Sequence, residues 1–252
     1  MGKKILVIAS NYGVWAEELV APWDILKNAG HDLQLATYKG MVPLPASLSM
    51  DTEWVDPQQG IKMNPQAIVD RMNELLDTGE WDNVIKVHDA NMDDYDVLVI
   101  VGGAGSAVDI AGNMEVHDLI TNAYKSDKIV GALCYAVGAL AFSRDPDNDM
   151  KSVIYGKNVT AHPHAWDFVG DHIYHVERAT EENPGLQLMT NGFLFPLQYM
   201  VEDAVGPDGS VASDPTTSRE TPSVAWDFPF VTGLSVESSS AFGNKLVEVL
   251  GD

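Results

Sequence analysis

Apolar residues occur along this chain in short unbroken runs. Between the runs lie segments whose apolar positions recur every three or four residues. Such runs fall at 4–10 and 96–101; further strands are predicted at Asp32–Thr37 and Ile129–Leu133, with shorter ones at 158–161 and Phe230–Gly233. A continuous apolar run bounded by turn residues suits a strand covered on both faces, as in a parallel sheet between helices. Residues 15–28 predict a helix with Leu19, Trp23 and Leu26 on one face, ended by Gly30. Pro22 within it either removes a backbone hydrogen bond or belongs to the first turn. Residues 115–126 predict a second helix, and Ser239–Leu250 a closing one carrying Phe242, Leu246, Val249 and Leu250. Strands alternating with helices imply right-handed crossovers and ligands at the carboxyl ends of the strands. The expected fold is a three-layer α/β/α sandwich around a mainly parallel sheet, one α/β domain over residues 1–252.

Residues 42–91 interrupt the rhythm. They are rich in Pro, Asp, Gln and Met and hold one amphipathic helical pattern around 65–76. So long a connection after a parallel strand emerges over the carboxyl ends of the sheet, and we expect a cap there that shapes a pocket. Residues 180–228 are irregular and rich in turn formers; they are expected to add a hairpin or a dimer contact. Lys3 and Lys4 precede an apolar run too short for a secretory signal, so that run is taken as the first strand. No stretch is long enough to cross a bilayer. The 252 residues carry a net charge of −22, which argues against nucleic acid and anionic membrane as partners. A single cysteine excludes an internal disulfide and suits a reducing cytoplasm.

That cysteine is the centre of the candidate chemistry. Cys134 follows the run Ile129–Leu133 directly and precedes the small-residue segment Ala136-Val137-Gly138-Ala139. A strand that turns at once into a helix presents a nucleophile at the turn, and a helix N-terminus lowers a thiol's pKa. Gly102-Gly103-Ala104-Gly105 follows another strand. Val108 stands where a dinucleotide fingerprint needs its third glycine, so these glycines are better read as bringing N–H groups toward an oxyanion near Cys134. Glu17 and Glu18 open the first helix, at the same end of the sheet. Either they complement the helix terminus, or one reaches the thiol and titrates with it. His162 and His164, with Asp167 just beyond and His172 and His175 later, offer a base for Cys134 oriented by an acid. Their spacing matches no strong zinc signature, and no metal is expected.

Three features together resemble the ThiJ/PfpI superfamily, with its class I glutamine-amidotransferase-like (flavodoxin-like) fold. They are Ala132-Leu133-Cys134, Glu18-x-x-x-Pro22, and Gly102-Gly103-x-Gly105-x-x-x-Asp109. Val231-Thr232-Gly233-Leu234 and Ser238-Ser239-Ser240-Ala241 resemble that family's final strand and helix. The long insert resembles the branch of glyoxalase III enzymes and HchA-type chaperones. The resemblance implies Cys134 as nucleophile and Glu18 as the acid at its sulfur. It also implies an oxyanion and substrate site from Gly102, Gly103 and Tyr135, no cofactor, and a homodimer. The implied reaction is glyoxalase III-like, a 2-oxoaldehyde plus water giving a 2-hydroxy acid. Many members of that branch carry histidine directly after the cysteine. Tyr135 stands there instead, keeping the N–H and removing the imidazole. His164 with Asp167 is then the expected base pair, with His162 as the alternative histidine, or Glu18 works alone as in isocyanide hydratases. Ser235-Val236 replaces the customary Asn-Pro near the last strand. Trp15, Trp23 and Trp166 are candidate walls for a substrate larger than methylglyoxal. A holdase chaperone and a redox sensor remain alternative functions.

Overall fold

The computed structural model describes residues 2–183 and 188–251. Seven strands form its main sheet: β1 (Lys4–Ile8), β2 (Asp32–Thr37), β3 (Ile85–Lys86), β4 (Val97–Ile100), β5 (Ile129–Leu133), β6 (Val224–Asp227) and β7 (Phe230–Gly233). Their order across the sheet is β6-β7-β5-β4-β1-β2-β3. All neighbours are parallel except β6 on β7. The register places Ile5 beside both Leu33 and Val97. All four residues of β4 are buried, because helices cover both faces of the strand.

The chain winds in both directions from β1. Helices α1 (Ala16–Asn28), α2 (Gln66–Asp77) and α6 (Ser239–Leu250) pack together on one face. Helices α3 (Met114–Lys125), α4 (Val137–Phe142) and α5 (Leu197–Val205) cover the other. Strand order reverses between β1 and β4, and a crevice opens there at the carboxyl ends. Pro22 lies in the interior of α1, so the helix forgoes a backbone bond and is held by its buried face. Of that face, Leu19 and Leu26 are fully buried.

The expected alternation holds along the sheet, and three details differ from it. The run at 158–161 forms a strand, Asn158–Thr160, that pairs with Ser210–Ala212 outside the main sheet; the Thr160 N–H bonds the Thr232 Oγ1 of β7. The insert is not wholly a cap, since α2 packs on α1 and β3 extends the sheet edge. The irregular region contributes β6, an antiparallel hairpin partner of β7, and Leu188–Asn191, which pairs with Asp171–Tyr174. No helix among the described residues is long and apolar enough to cross a membrane.

Candidate active site

Cys134 stands at the end of β5 with φ +57°, a left-handed conformation that non-glycine residues adopt only where the surroundings enforce it. A short 3₁₀ turn, Cys134–Ala136, leads into α4. Cys134 is 4% exposed. Burial and the neighbouring Glu18 carboxyl push its pKa well up, contrary to the lowered value expected of a helix terminus. The reason is local: α4 has only six residues, and its dipole is small beside the desolvation of a buried sulfur. Hydrogen bonds from Ser235 and the Tyr135 N–H act in the opposite direction and favour the thiolate.

Glu18 reaches the sulfur from the first turn of α1. Its carboxyl is buried and shares hydrogen bonds with the Cys134 thiol and the Gly103 N–H. Burial, with Glu237 and Glu17 nearby, raises its pKa well above the carboxylate range. Burial thus favours the protonated form of Glu18, whose carboxyl stands within hydrogen-bond reach of the sulfur. Glu17 points elsewhere and forms a two-pronged ion pair with Arg219, whose second nitrogen also bonds the Met63 carbonyl at 2.6 Å.

The glycine turn at the end of β4 closes around this pair. A Cβ on Gly102 would lie 2.3 Å from Glu18 Oε2 and 2.8 Å from Cys134 Cβ. Gly103 has φ +100°, and a Cβ there would lie 2.3 Å from the Trp15 backbone nitrogen. Only glycine permits so close an approach of the two loops. The Gly103 N–H, expected to serve an oxyanion, is engaged by Glu18 in this resting arrangement.

His162 is the histidine beside the sulfur. Its Nδ1 lies 3.8 Å from Cys134 Sγ and 3.0 Å from Ser235 Oγ. Its Nε2 lies 3.7 Å from Asp167 Oδ1. Burial pushes its pKa down to about 3, so the ring is a neutral base. His164 does not reach the thiol. Its ring stands half-exposed beyond Asp167, with Nδ1 3.1 Å from Oδ2, and tilts against Tyr199. His164 opens a 3₁₀ turn, His164–Trp166, that follows the strand Asn158–Thr160. Asp167 thus links both histidines and also accepts the Tyr135 hydroxyl. Burial raises its pKa, and these donors lower it. The Tyr135 ring stacks on Phe193 at 3.7 Å. Of the later histidines, His175 is exposed, and the side chain of His172 lies outside the described residues.

A narrow cleft opens onto Cys134. Its walls include Trp15, Trp54, Trp166, Phe168, Tyr174 and Phe193, with Glu18, Asp56 and His162 as polar groups. No Lys or Arg lines it among the described residues. Trp54, Asp56, Gln59 and Met63 come from the 42–91 insert. Trp23 is not a wall: it packs edge-on against Trp81 in the core, and Glu80 accepts its indole N–H at 2.8 Å. Sequence reasoning missed Ser235 as a participant, although it stands where the family's Asn-Pro is replaced. No group of three or more His, Cys, Asp or Glu among the described residues is arranged to hold a metal.

A cysteine elbow at the reversal point of a doubly wound sheet, with a buried acid on the sulfur, defines the class. The model of the DJ-1/PfpI family matches residues 3–249, and the chain belongs to that family. It is 23% identical over 172 residues to "Glutathione-independent glyoxalase hsp3102" of Schizosaccharomyces pombe, a match covering 64% of this chain and 68% of that protein. It is 24% identical over 148 residues to "Glyoxalase 3" of Candida albicans, covering 59% of each. The chain therefore spans about two thirds or less of these curated relatives' length. The crystal structure of Candida albicans glyoxalase III superposes with a TM-score of 0.68 at 17% identity, covering 98% of this chain and 96% of that one. At that identity the likeness concerns the fold.

Proposed function

We propose that this protein is a cofactor-independent cysteine enzyme that hydrates and rearranges an uncharged 2-oxoaldehyde to a 2-hydroxy acid. The observation that carries the reading is convergence: the Cys134 thiol, the buried Glu18 carboxyl and a neutral His162 meet at the floor of one aromatic cleft. The names of the similar glyoxalases support the same class.

The chemistry follows from these groups. The thiol proton passes to His162, and the thiolate attacks the aldehyde carbon. Glu18 protonates the forming alkoxide, giving a hemithioacetal, and the Tyr135 N–H faces the reacting centre. Removal of the C1 proton and its return to C2 through an enediol yields a thioester. Water then releases the 2-hydroxy acid and restores the thiol. Asp167 faces the imidazolium formed in the first step and stabilises it. The insert acts in this reading as the wall that excludes bulk water, through Trp54 and Met63.

The cleft also supports a substrate class. Its walls are rings, and its polar lining groups are neutral or acidic. An uncharged aryl or branched oxoaldehyde is favoured over a carboxylate-bearing one, which would meet no cation there.

The test is turnover of methylglyoxal, phenylglyoxal and a bulky isocyanide by wild type and Cys134→Ala, with products read by NMR. Mandelate from phenylglyoxal, formed with higher kcat/KM than lactate from methylglyoxal and lost in the variant, is expected. Hydration of the isocyanide alone would shift the reading to a hydratase. No turnover by wild type would sink both and leave holdase or redox sensing.

A further inference from the structure

Between the thiol and His162 stands a hydroxyl that the mechanism above does not use. Ser235 lies two residues beyond β7, in extended backbone at φ −162°, and is 4% exposed. Its Oγ is 3.6 Å from Cys134 Sγ and 3.0 Å from His162 Nδ1. The direct separation of Sγ and Nδ1 is longer, 3.8 Å. The other group on the sulfur is the buried Glu18 carboxyl, which also accepts the Gly103 N–H. A hydroxyl offers one donor and two acceptor positions, so Ser235 can accept from the thiol while donating to the imidazole.

We propose that Ser235 is a catalytic residue, the relay through which the Cys134 proton reaches His162. The proposal rests on the reading of Cys134 as the nucleophile. The S–H bond breaks as a new O–H bond forms at Ser235. The original hydroxyl proton forms an N–H bond at His162 Nδ1. Serine ends unchanged, the sulfur keeps the electron pair, and nothing is oxidised or reduced. After transfer both hydrogen bonds run the other way, from Nδ1–H to Oγ and from Oγ–H to the thiolate. The imidazolium then presents Nε2–H to Asp167 Oδ1, 3.7 Å away. The titratable groups around this path are Glu18 on α1, His162 and Asp167 after the Asn158–Thr160 strand, and Tyr135 at the elbow. Glu17, Glu237 and Arg219 stand behind Glu18.

The test uses the intact chain and its single cysteine. The rate of Cys134 carboxamidomethylation by iodoacetamide is followed by mass spectrometry from pH 7 to 11. For Ser235→Ala the rate at neutral pH is expected to fall about tenfold, with the midpoint of the pH–rate curve about one pH unit higher. Ser235→Thr keeps a hydroxyl and is expected to stay within about threefold of wild type. His162→Ala is expected to match Ser235→Ala, and the double variant to fall no further, because one broken relay cannot break twice. Ser235→Gly replaces Ser235→Ala if the latter does not fold. A fall of less than about threefold with an unmoved midpoint, a threonine variant as slow as alanine, or additive losses in the double variant would overturn the relay. Iodoacetamide is not a carbonyl substrate. Failure of wild type to turn over the oxoaldehydes would therefore remove the proposed activity and leave this result standing separately.

Discussion

Glu237 is the most informative single perturbation outside the proposed proton path. It is 6% exposed, and only one of its carboxyl oxygens is satisfied, Oε1 accepting from Ser238 Oγ at 2.8 Å. Oε2 has no hydrogen-bond partner among the described residues. Burial lifts its pKa from an ordinary 4.5 to about 7. At about 1.4 kcal/mol for each tenfold change in proton affinity, ionising this carboxyl costs the folded protein about 3 kcal/mol at pH 8 to 9. The sign follows from the direction. A raised folded pKa means the native state holds the proton more tightly than the unfolded chain. That stabilisation is complete below pH 4.5 and is lost as the pH rises through about 7. Glu237→Gln keeps the shape and cannot ionise. Urea unfolding of wild type and variant at pH 5 and pH 8.5 is the assay, and the quantity read is the change in their difference between the two pH values. That change cancels any constant cost of the amide. The variant should gain about 2–3 kcal/mol on wild type between pH 5 and 8.5. A difference that stays flat, or moves the other way, would mean the carboxylate is satisfied as an anion and would refute the reasoning.

Three further outcomes follow from the same geometry. Glu18→Ala removes the acid at the sulfur and is expected to lower kcat/KM for the preferred oxoaldehyde by about 10²–10⁴-fold, measured by steady-state kinetics with folding checked by circular dichroism. Arg219→Ala leaves the buried Glu17 without its ion-pair partner. Arg219 is itself about a third exposed, 35% by side chain, so the loss is discounted for solvent screening to about 2 kcal/mol by denaturant titration. Because burial holds His162 down near 3, kcat/KM is expected to show no acid limb from this ring between pH 5 and 8. An inflection near pH 6.5 that His162→Ala abolishes would contradict it.

The sheet was legible because its strands are buried on both faces. Ile5-Leu6-Val7-Ile8 and Val97-Leu98-Val99-Ile100 admit no polar interruption, and that pattern survives without long-range information. β3 was not legible. Two residues, Ile85 and Lys86, carry no period, and only the edge of β2 makes them a strand. Cys134, Glu18 and Gly103 were legible as candidates because each sits within a local motif near a strand end. The choice between His162 and His164 could not be made, since the two rings part only in the fold, one beside the sulfur and the other against Tyr199. Ser235 was hidden for a related reason. It lies 101 residues from Cys134, and an isolated serine has no local signature. Trp23 was misplaced as a wall because an aromatic residue on α1 looks the same in sequence whether its neighbour is the cleft or Trp81.

The chain's single cysteine lies at the floor of the aromatic cleft, and this makes the molecule its own gauge of access. Any thiol reagent, in a mixture or on the intact protein, reports from one depth only. A ladder of reagents of rising girth, from iodoacetamide to a bulky maleimide, measures the width of the passage past Trp54 and Phe168. The same ladder applied to chains altered in the insert would map which residues set that width, with no substrate present.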